Sequence, residues 1–362
     1  MSDSPAWHKT TLLIFFLVII IGVCAYYFFR PTASVERERN LNLFIWSEYI
    51  DPELIEEFQA RHNVKVKMDL YESNEEMINK LQTGRDNVYD IIVPTTYFVP
   101  ALKTLDLIRP LDHSLIPNLK NVTGNFANID EDPGYKLTVP YQWGTSGLAV
   151  RAKDISVVPS SWKLLFDKDS TIGNIVFFDT ARDALGSALK YLGYSLNTTN
   201  IDEIKQATEL LIAAKEHPTF MGFDSGVAGL DKVMGNIAET AQVYSGEAIK
   251  AAKEDPELHY ILPEEGNEIW LDLMAIPKNA PNAGIAHEFL NFILEPEVGA
   301  KIATFNNYAT PNDAAIPFIP KGDLEDPGMY PTAERLAKME YIKDLGDNNR
   351  LYDEAWNFVK SR

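Results

Sequence analysis

Residues 41–63 read LNLFIWSEYIDPELIEEFQARHN and contain the signals of a strand followed directly by a helix. Residues 41–45 are an apolar run of strand length. Asp51 and Pro52 then supply an N-cap and a proline in the first helical turn, apolar residues follow at helical spacing, and Asn63 ends the helix. This stretch therefore predicts a βα unit, the building block of α/β proteins.

The same alternation continues along the chain. Residues 64–70 alternate as a strand, Ser73 and Glu76 belong to a capping box that opens a helix through Leu81, and residues 89–93 form a third buried strand. The order βαβαβ predicts a parallel sheet with right-handed crossovers.

A second α/β unit begins near residue 141, and the pattern changes again at residues 273–277. Strands are predicted at 147–150, 174–178, 241–244 and 259–262, and helices at 181–192, 201–216, 285–294 and 296–305. The sequence contains no internal repeat that would indicate a solenoid.

The composition is that of a globular and strongly acidic protein. The chain has 362 residues, of which 46% are hydrophobic, and its formal charge is -19. This length allows two packed lobes, and the acidic surface repels nucleic acid and attracts cations. Cys24 is the single cysteine, so the rest of the chain has neither a disulfide nor a cysteine metal site.

The N-terminal residues indicate export. Residues 11–29 carry no charge and are long enough to span a bilayer. An uncleaved signal anchor within residues 1–30 is therefore expected, with cleavage after Ala25 as the alternative. Residues 31–39 are polar and predict a short linker.

Catalytic and cofactor motifs are missing from the sequence. There is no Walker loop, no dinucleotide-binding glycine fingerprint and no nucleophile elbow. The helix beginning His287-Glu288 places Asn291 where a zinc protease has its second histidine. Nothing in the sequence therefore nominates a metal, a cofactor or an enzyme activity, and we expect none of the three.

Two short stretches combine an aromatic ring with a carboxylate. Trp46-Ser47-Glu48-Tyr49 follows the first strand, and Trp270-Leu271-Asp272 lies more than two hundred residues later. An aromatic face attracts positive charge and a carboxylate accepts N–H bonds, so the pairing suits an organic cation. Core packing of the rings, with the acids in solvent at strand ends, is the alternative for either stretch alone.

Six segments in a fixed order carry a family resemblance: Trp46-Ser47-Glu48-Tyr49, Tyr71-Glu72-Ser73-Asn74-Glu75, Val93-Pro94-Thr95-Thr96-Tyr97, Val139-Pro140-Tyr141-Gln142-Trp143-Gly144, Trp270-Leu271-Asp272 with Ala275-Ile276-Pro277, and Tyr308-Ala309-Thr310-Pro311-Asn312. Through these segments the chain resembles the polyamine-binding proteins, the spermidine/putrescine receptors of ABC importers. The resemblance covers residues 41–362.

The resemblance implies a two-lobe periplasmic binding protein fold, similar to type II, in which each lobe is a mainly parallel sheet flanked by helices. The first lobe would hold residues 40–142 and 274–309, and the second residues 143–273 and 310–362. A hinge would close the lobes over the ligand. The implied partners are a polyamine and the permease and ATPase subunits of an importer. A monomer in the periplasm, tethered through residues 11–29 if these are not cleaved, is expected.

The resemblance also implies the ligand-binding residues. Asp272 and Glu48 would bind ammonium groups, and Asp183 the distal amine. The other implied site residues line the cleft with rings or hydroxyl groups, and Thr95 would supply a hydroxyl acceptor. They are Trp46, Tyr49, Thr95, Tyr97, Thr180, Tyr244, Trp270 and Tyr308.

The chain departs from the family pattern at three positions. Spermidine binders tend to have an acid where Thr180 stands, Tyr244 occupies a place that is often Trp, and Ile342 one that can be a polar amide. These differences indicate a ligand selectivity unlike that of a standard spermidine receptor. Two other functions stay open: a polyamine sensor acting on a membrane signalling protein, and an enzyme acting on an amine.

Overall fold

A computed structural model describes residues 39–85, 87–170 and 172–362. The strands within these residues are β1 (Asn40–Trp46), β2 (Lys65–Tyr71), β3 (Ile91–Ile92), β4 (Thr138–Arg151), β5 (Ile175–Phe178), β6 (Phe220–Asp224), β7 (Thr240–Tyr244), β8 (Leu258–Ile261), β9 (Glu268–Ala275) and β10 (Glu340–Tyr341).

The α-helices of the same residues are α1 (Pro52–His62), α2 (Asn74–Lys80), α3 (Val99–Thr104), α4 (Lys163–Phe166), α5 (Ala181–Tyr191), α6 (Ile201–Lys215), α7 (Gly226–Met234), α8 (Ser245–Glu254), α9 (Ala283–Ile293), α10 (Pro296–Asn306), α11 (Lys321–Leu324), α12 (Ala333–Leu336) and α13 (Asn349–Ser361).

The first βα units form as the sequence predicts. The Asp51 side chain accepts a hydrogen bond from the Glu53 amide at the start of α1, and Asn63 ends the helix in the left-handed conformation with φ 49°. The Ser73 hydroxyl accepts from the Glu76 amide at the start of α2. Strands β2 and β3 both pair with β1 in parallel. The predicted parallel βαβαβ order is therefore confirmed.

Strands β4 and β9 join the two parts of the sheet. They pair antiparallel from Thr138 opposite Ala275 to Thr145 opposite Ile269, with an irregularity between Pro140 and Gln142. The prediction of a separate strand at 147–150 was too short, because β4 runs without a break from residue 138 to 151. Proline and glycine are unfavourable within a regular strand, so the sequence did not predict one over the first part of this segment. The irregular register accommodates the proline.

The second part of the sheet is built on β4 and β5. Strand β5 pairs in parallel with β6 and β7, and β4 pairs antiparallel with β7 and β8. Apart from β4, the predicted strands and the helices α5, α6, α9 and α10 are present within one or two residues of their expected ends. Strand β6 and helices α7, α8 and α13 were not predicted.

Two large apolar clusters lie on the two parts of the sheet. One contains Leu43 and Phe289, and the other contains Phe177 and Leu185, all fully buried. This is an α/β arrangement in which helices flank a curled, mixed sheet. Residues 39–362 form one compact unit.

The predicted signal anchor, including Cys24, lies outside the described residues. Among the residues described, none of the helices combines the length and apolar character needed to cross a membrane. The predicted lobe boundaries stay predictions. The resemblance implies that the chain crosses between the lobes near residues 140–144, 272–276 and 308–312. These three segments do lie side by side, since β4 pairs with β9 and Trp143 of β4 bridges Ala309.

Candidate functional site

The Asp272 carboxylate is buried in β9 between two hydroxyl donors. Only 5% of the Asp272 surface is exposed to solvent. The Tyr49 hydroxyl donates to Oδ2 at 2.5 Å, and the Thr95 hydroxyl donates to Oδ1 at 2.7 Å. Burial raises the pKa of Asp272 to about 6, although both hydrogen bonds act to lower it. No basic side chain among the described residues forms an ion pair with Asp272, so the site is suited to a cation that comes from a ligand.

Asn74 holds Thr95 in place beside this carboxylate. Its side-chain amide donates to the Thr95 hydroxyl at 3.2 Å, and its carbonyl oxygen accepts from the Thr95 backbone amide at 3.1 Å. Asn74 is the first residue of α2, directly after the capping residue Ser73. The capping box read from the sequence therefore orients a hydroxyl donor of the site.

A row of aromatic rings leads away from Asp272. Tyr49 contacts Tyr308 with ring centroids 6.1 Å apart, Tyr308 contacts Trp270 at 4.7 Å, and Trp270 contacts Tyr244 at 6.3 Å. All three contacts are edge-to-face, which is the arrangement that aromatic quadrupoles prefer. Parts of the chain that are far apart in sequence thus supply one continuous aromatic wall.

Asp183 lies at the other end of the row. The Tyr244 hydroxyl donates to Asp183 Oδ1 at 3.3 Å, and the Thr180 hydroxyl donates to Oδ2 at 2.5 Å. Asp183 is in the first turn of α5, where the helix dipole favours a carboxylate. The result is an aromatic row with one carboxyl group at each end.

The remaining predicted residues take different positions. Trp46 is half-buried, donates from Nε1 to the Val93 carbonyl at 2.9 Å and packs against Tyr71 with ring centroids 4.6 Å apart. Tyr97 has a pKa raised well above its usual value by burial and by the charges of Asp183 and Glu268, so its phenol lies near the second carboxyl end.

Glu48 does not lie beside Asp272 or Asp183, although its charge acts on Glu247. It occupies a turn after β1 with φ 52°, its side chain is 84% exposed, and its Oε2 lies 3.7 Å from Lys250 Nζ. Its expected contact with an ammonium group stays a prediction. Thr180 is exposed and, as the N-cap residue of α5, lies beside Asp183.

Two acidic residues of this region were missed in the sequence. The Tyr308 hydroxyl donates to Glu247, whose pKa is raised chiefly by burial. Glu268 is buried beside Asp183. The signal for Glu268 was available, because alternate residues of a strand share a face and Glu268 stands two positions before Trp270 and four before Asp272.

Comparison with known proteins identifies relatives of this architecture. The family of bacterial extracellular solute-binding proteins matches residues 53–331. The spermidine/putrescine-binding periplasmic protein of Salmonella typhimurium is 34% identical, covering 89% of this chain and 91% of its own. The putrescine-binding periplasmic protein SpuD of Pseudomonas aeruginosa is 32% identical, covering 91% of this chain and 94% of its own.

A solved structure agrees with these relatives. The spermidine/putrescine ABC transporter substrate-binding protein PotD of Streptococcus pneumoniae superimposes with a TM-score of 0.79 at 30% identity, covering 90% of this chain and 99% of that one. The expected periplasmic binding protein fold is thereby confirmed. The chain belongs to the family of bacterial extracellular solute-binding proteins.

Proposed function

We propose that this protein captures a polyamine of the putrescine/spermidine class between two lobes and delivers it to an ABC importer. The observation that carries the proposal is the row of aromatic rings from Tyr49 to Tyr244, with the carboxyl groups of Asp272 and Asp183 at its ends. A linear polyamine has the matching pattern, since methylene segments separate its ammonium groups. The names of the relatives support the same ligand class.

Each part of the row has a physical role toward such a ligand. The methylene groups pack on the ring faces, and a well-placed cation on a ring contributes roughly 0.5–2 kcal/mol. A hydrogen bond between an ammonium group and a carboxylate contributes about 1.5–3 kcal/mol net. Asp272 is buried without a cation beside it, which is unfavourable for a carboxylate. The ammonium group of the ligand supplies the opposite charge and offsets this cost.

The proposed lobes are residues 40–142 with 274–309 and residues 143–273 with 310–362. The crossing segments of β4 and β9 would act as the hinge, and closure would exclude water from the aromatic row. The proposed setting is the periplasm, where a tether formed by residues 11–29 would keep the receptor near the permease.

Isothermal titration of the purified full-length protein in detergent tests the proposal. Putrescine, cadaverine, spermidine, spermine and norspermidine are the ligands, and an amino acid such as glutamate is the control. We expect saturable binding of at least one polyamine and none of glutamate. Absence of binding to all five amines contradicts the proposal, and chemical conversion of the amine during incubation favours an enzyme instead.

A further inference from the structure

Glu268 is a buried acid without a hydrogen-bond partner for one of its oxygens. The residue is 7% exposed, and its Oε2 has no donor within reach among the described residues. It lies on β9, on the same face as Trp270 and Asp272. A buried polar atom without a hydrogen bond destabilises the folded protein unless a water molecule or a ligand supplies the missing partner.

Asp183 lines the same cavity as Glu268, and its charge acts on the Glu268 carboxyl group. A neighbouring carboxylate and a buried setting both disfavour a negative charge on an acid such as Glu268. Burial and the neighbouring Asp183 both raise the pKa of Glu268 well above its usual value. Both causes therefore favour the protonated form of Glu268 over its ionised form when no ligand is present.

One half-buried cation, Arg182, lies beside these two acids. Its terminal nitrogens donate to neutral oxygens, including the Lys343 carbonyl at 2.9 Å and the Asn197 side chain at 2.9 Å. Its Nε has no partner among the described residues. The guanidinium therefore forms no hydrogen bond to either carboxyl group.

The other titratable and charged groups that face Glu268 do not neutralise it. Three are phenols and one is a second acid: Tyr97, Tyr244, Tyr260 and Asp272. Lys190 lines the same cavity, but it pairs with Glu340 at 2.7 Å. Three carboxyl groups, those of Asp183, Glu268 and Asp272, thus face the one guanidinium of Arg182, so a further cation can enter without an excess of positive charge.

A small cavity adjoins these groups. Its lining includes Arg182, Asp183 and Glu268, together with Asn267 and Ile342. Its volume of about 10 Å³ holds roughly one water-sized group, which is also the size of an ammonium group. The cavity therefore has both the size and the charge demand of an ammonium site.

We propose that Glu268 is a ligand-binding acid that, together with Asp183, receives an ammonium group of the polyamine, and that this ammonium group replaces a proton on Glu268. This inference rests on the proposed function and deepens it. Spermidine binders tend to have an acid where this chain has Thr180. Glu268, on β9, would replace that missing acid, so the site would keep enough negative charge for a triamine. Binding at this end is then an exchange of a proton for a cation.

Calorimetry tests the exchange. Spermidine is titrated into the full-length protein at about pH 7 in buffers of different ionisation enthalpy, which gives the number of protons released. We expect about one proton per spermidine bound, and an affinity that rises with pH. In E268Q we expect roughly tenfold weaker binding or more, and loss of this proton release.

Two controls keep the outcomes distinct. E268Q should fold normally, because glutamine has the shape of the protonated acid, and its thermal midpoint verifies this. Glu209→Gln removes an equal charge from an exposed position on α6 and should leave both affinity and proton release unchanged.

The results separate this inference from the proposed function. If the wild-type protein binds no polyamine, the proposed function fails. If it binds spermidine but E268Q has the same affinity and proton release, only the role of Glu268 is overturned. If E268Q does not fold, the number of protons that the wild-type protein releases per bound spermidine tests the inference. Spermidine binding without proton release then contradicts the proposed exchange of a proton for an ammonium group.

Discussion

At the residue scale, Asp272 lies where a negative charge is unfavourable until a cation reaches it. We expect Asp272→Asn to weaken polyamine binding roughly tenfold or more, because the amide lacks the charge that an ammonium group requires. Titration calorimetry at about pH 8, where the acid is ionised, measures the change. Asp231→Asn, on the exposed part of α7, is the matched control. An unchanged affinity in Asp272→Asn removes Asp272 from the site.

In the ligand-free protein, the same substitution stabilises the fold when the pH is high enough to ionise Asp272. The folded state raises the pKa of Asp272 from 3.8 to about 6, so it binds more protons than the unfolded state between these values. Stability therefore falls as the pH rises through this window, by roughly 3 kcal/mol in all. We expect the thermal midpoint of Asp272→Asn to match the wild type at about pH 4 and to exceed it at about pH 8. An equal difference at both pH values contradicts this assignment.

At the element scale, strand β4 sets the position of the aromatic row. A Cβ atom added at Gly144 would lie 2.5 Å from the Trp270 ring and 2.8 Å from the Tyr308 ring, so Gly144→Ala must displace both. Overpacking of this kind costs about 1–3 kcal/mol, and we expect a roughly tenfold loss of polyamine affinity by calorimetry. Gly284→Ala, on α9, is the matched control, because its added Cβ meets nothing within 4 Å. Equal affinity in both variants argues against contact between β4 and the ligand wall.

The elements also show which parts of the fold a sequence can predict. Helix α1 was predicted almost to the residue, because Asp51 and Asn63 act through local hydrogen bonds and backbone conformation. Strand β4 was predicted only in part, because Pro140 and Gly144 normally argue against a regular strand. The structure accommodates Pro140 through an irregular pairing with β9, and it needs Gly144 because Trp270 packs against that position. Local signals are visible in a single sequence, whereas pairing across more than a hundred residues is not.

At the scale of the whole molecule, charge controls encounter with the ligand. A net charge of -19 creates a field that attracts polyamines over a distance limited by salt. We expect the association rate of spermidine to fall several-fold as sodium chloride rises from about 50 to 500 mM, with a smaller change in the dissociation rate. Stopped-flow fluorescence measures both rates, and a sulfate series at equal ionic strength is the control. An association rate independent of ionic strength contradicts electrostatic steering.

The sequence by itself determined the α/β class, the ends of the capped helices and a set of aromatic and acidic residues that suit an organic cation. These depend on composition, local spacing and motif order. Only the tertiary structure decided which of those residues meet. It brings Tyr49, Thr95 and Asp272 together, leaves Glu48 in solvent and adds Glu268 beside Asp183. The physical reason is that burial and long-range contact, which set the charge state of a carboxylate, are properties of the packed sheet and not of any single segment.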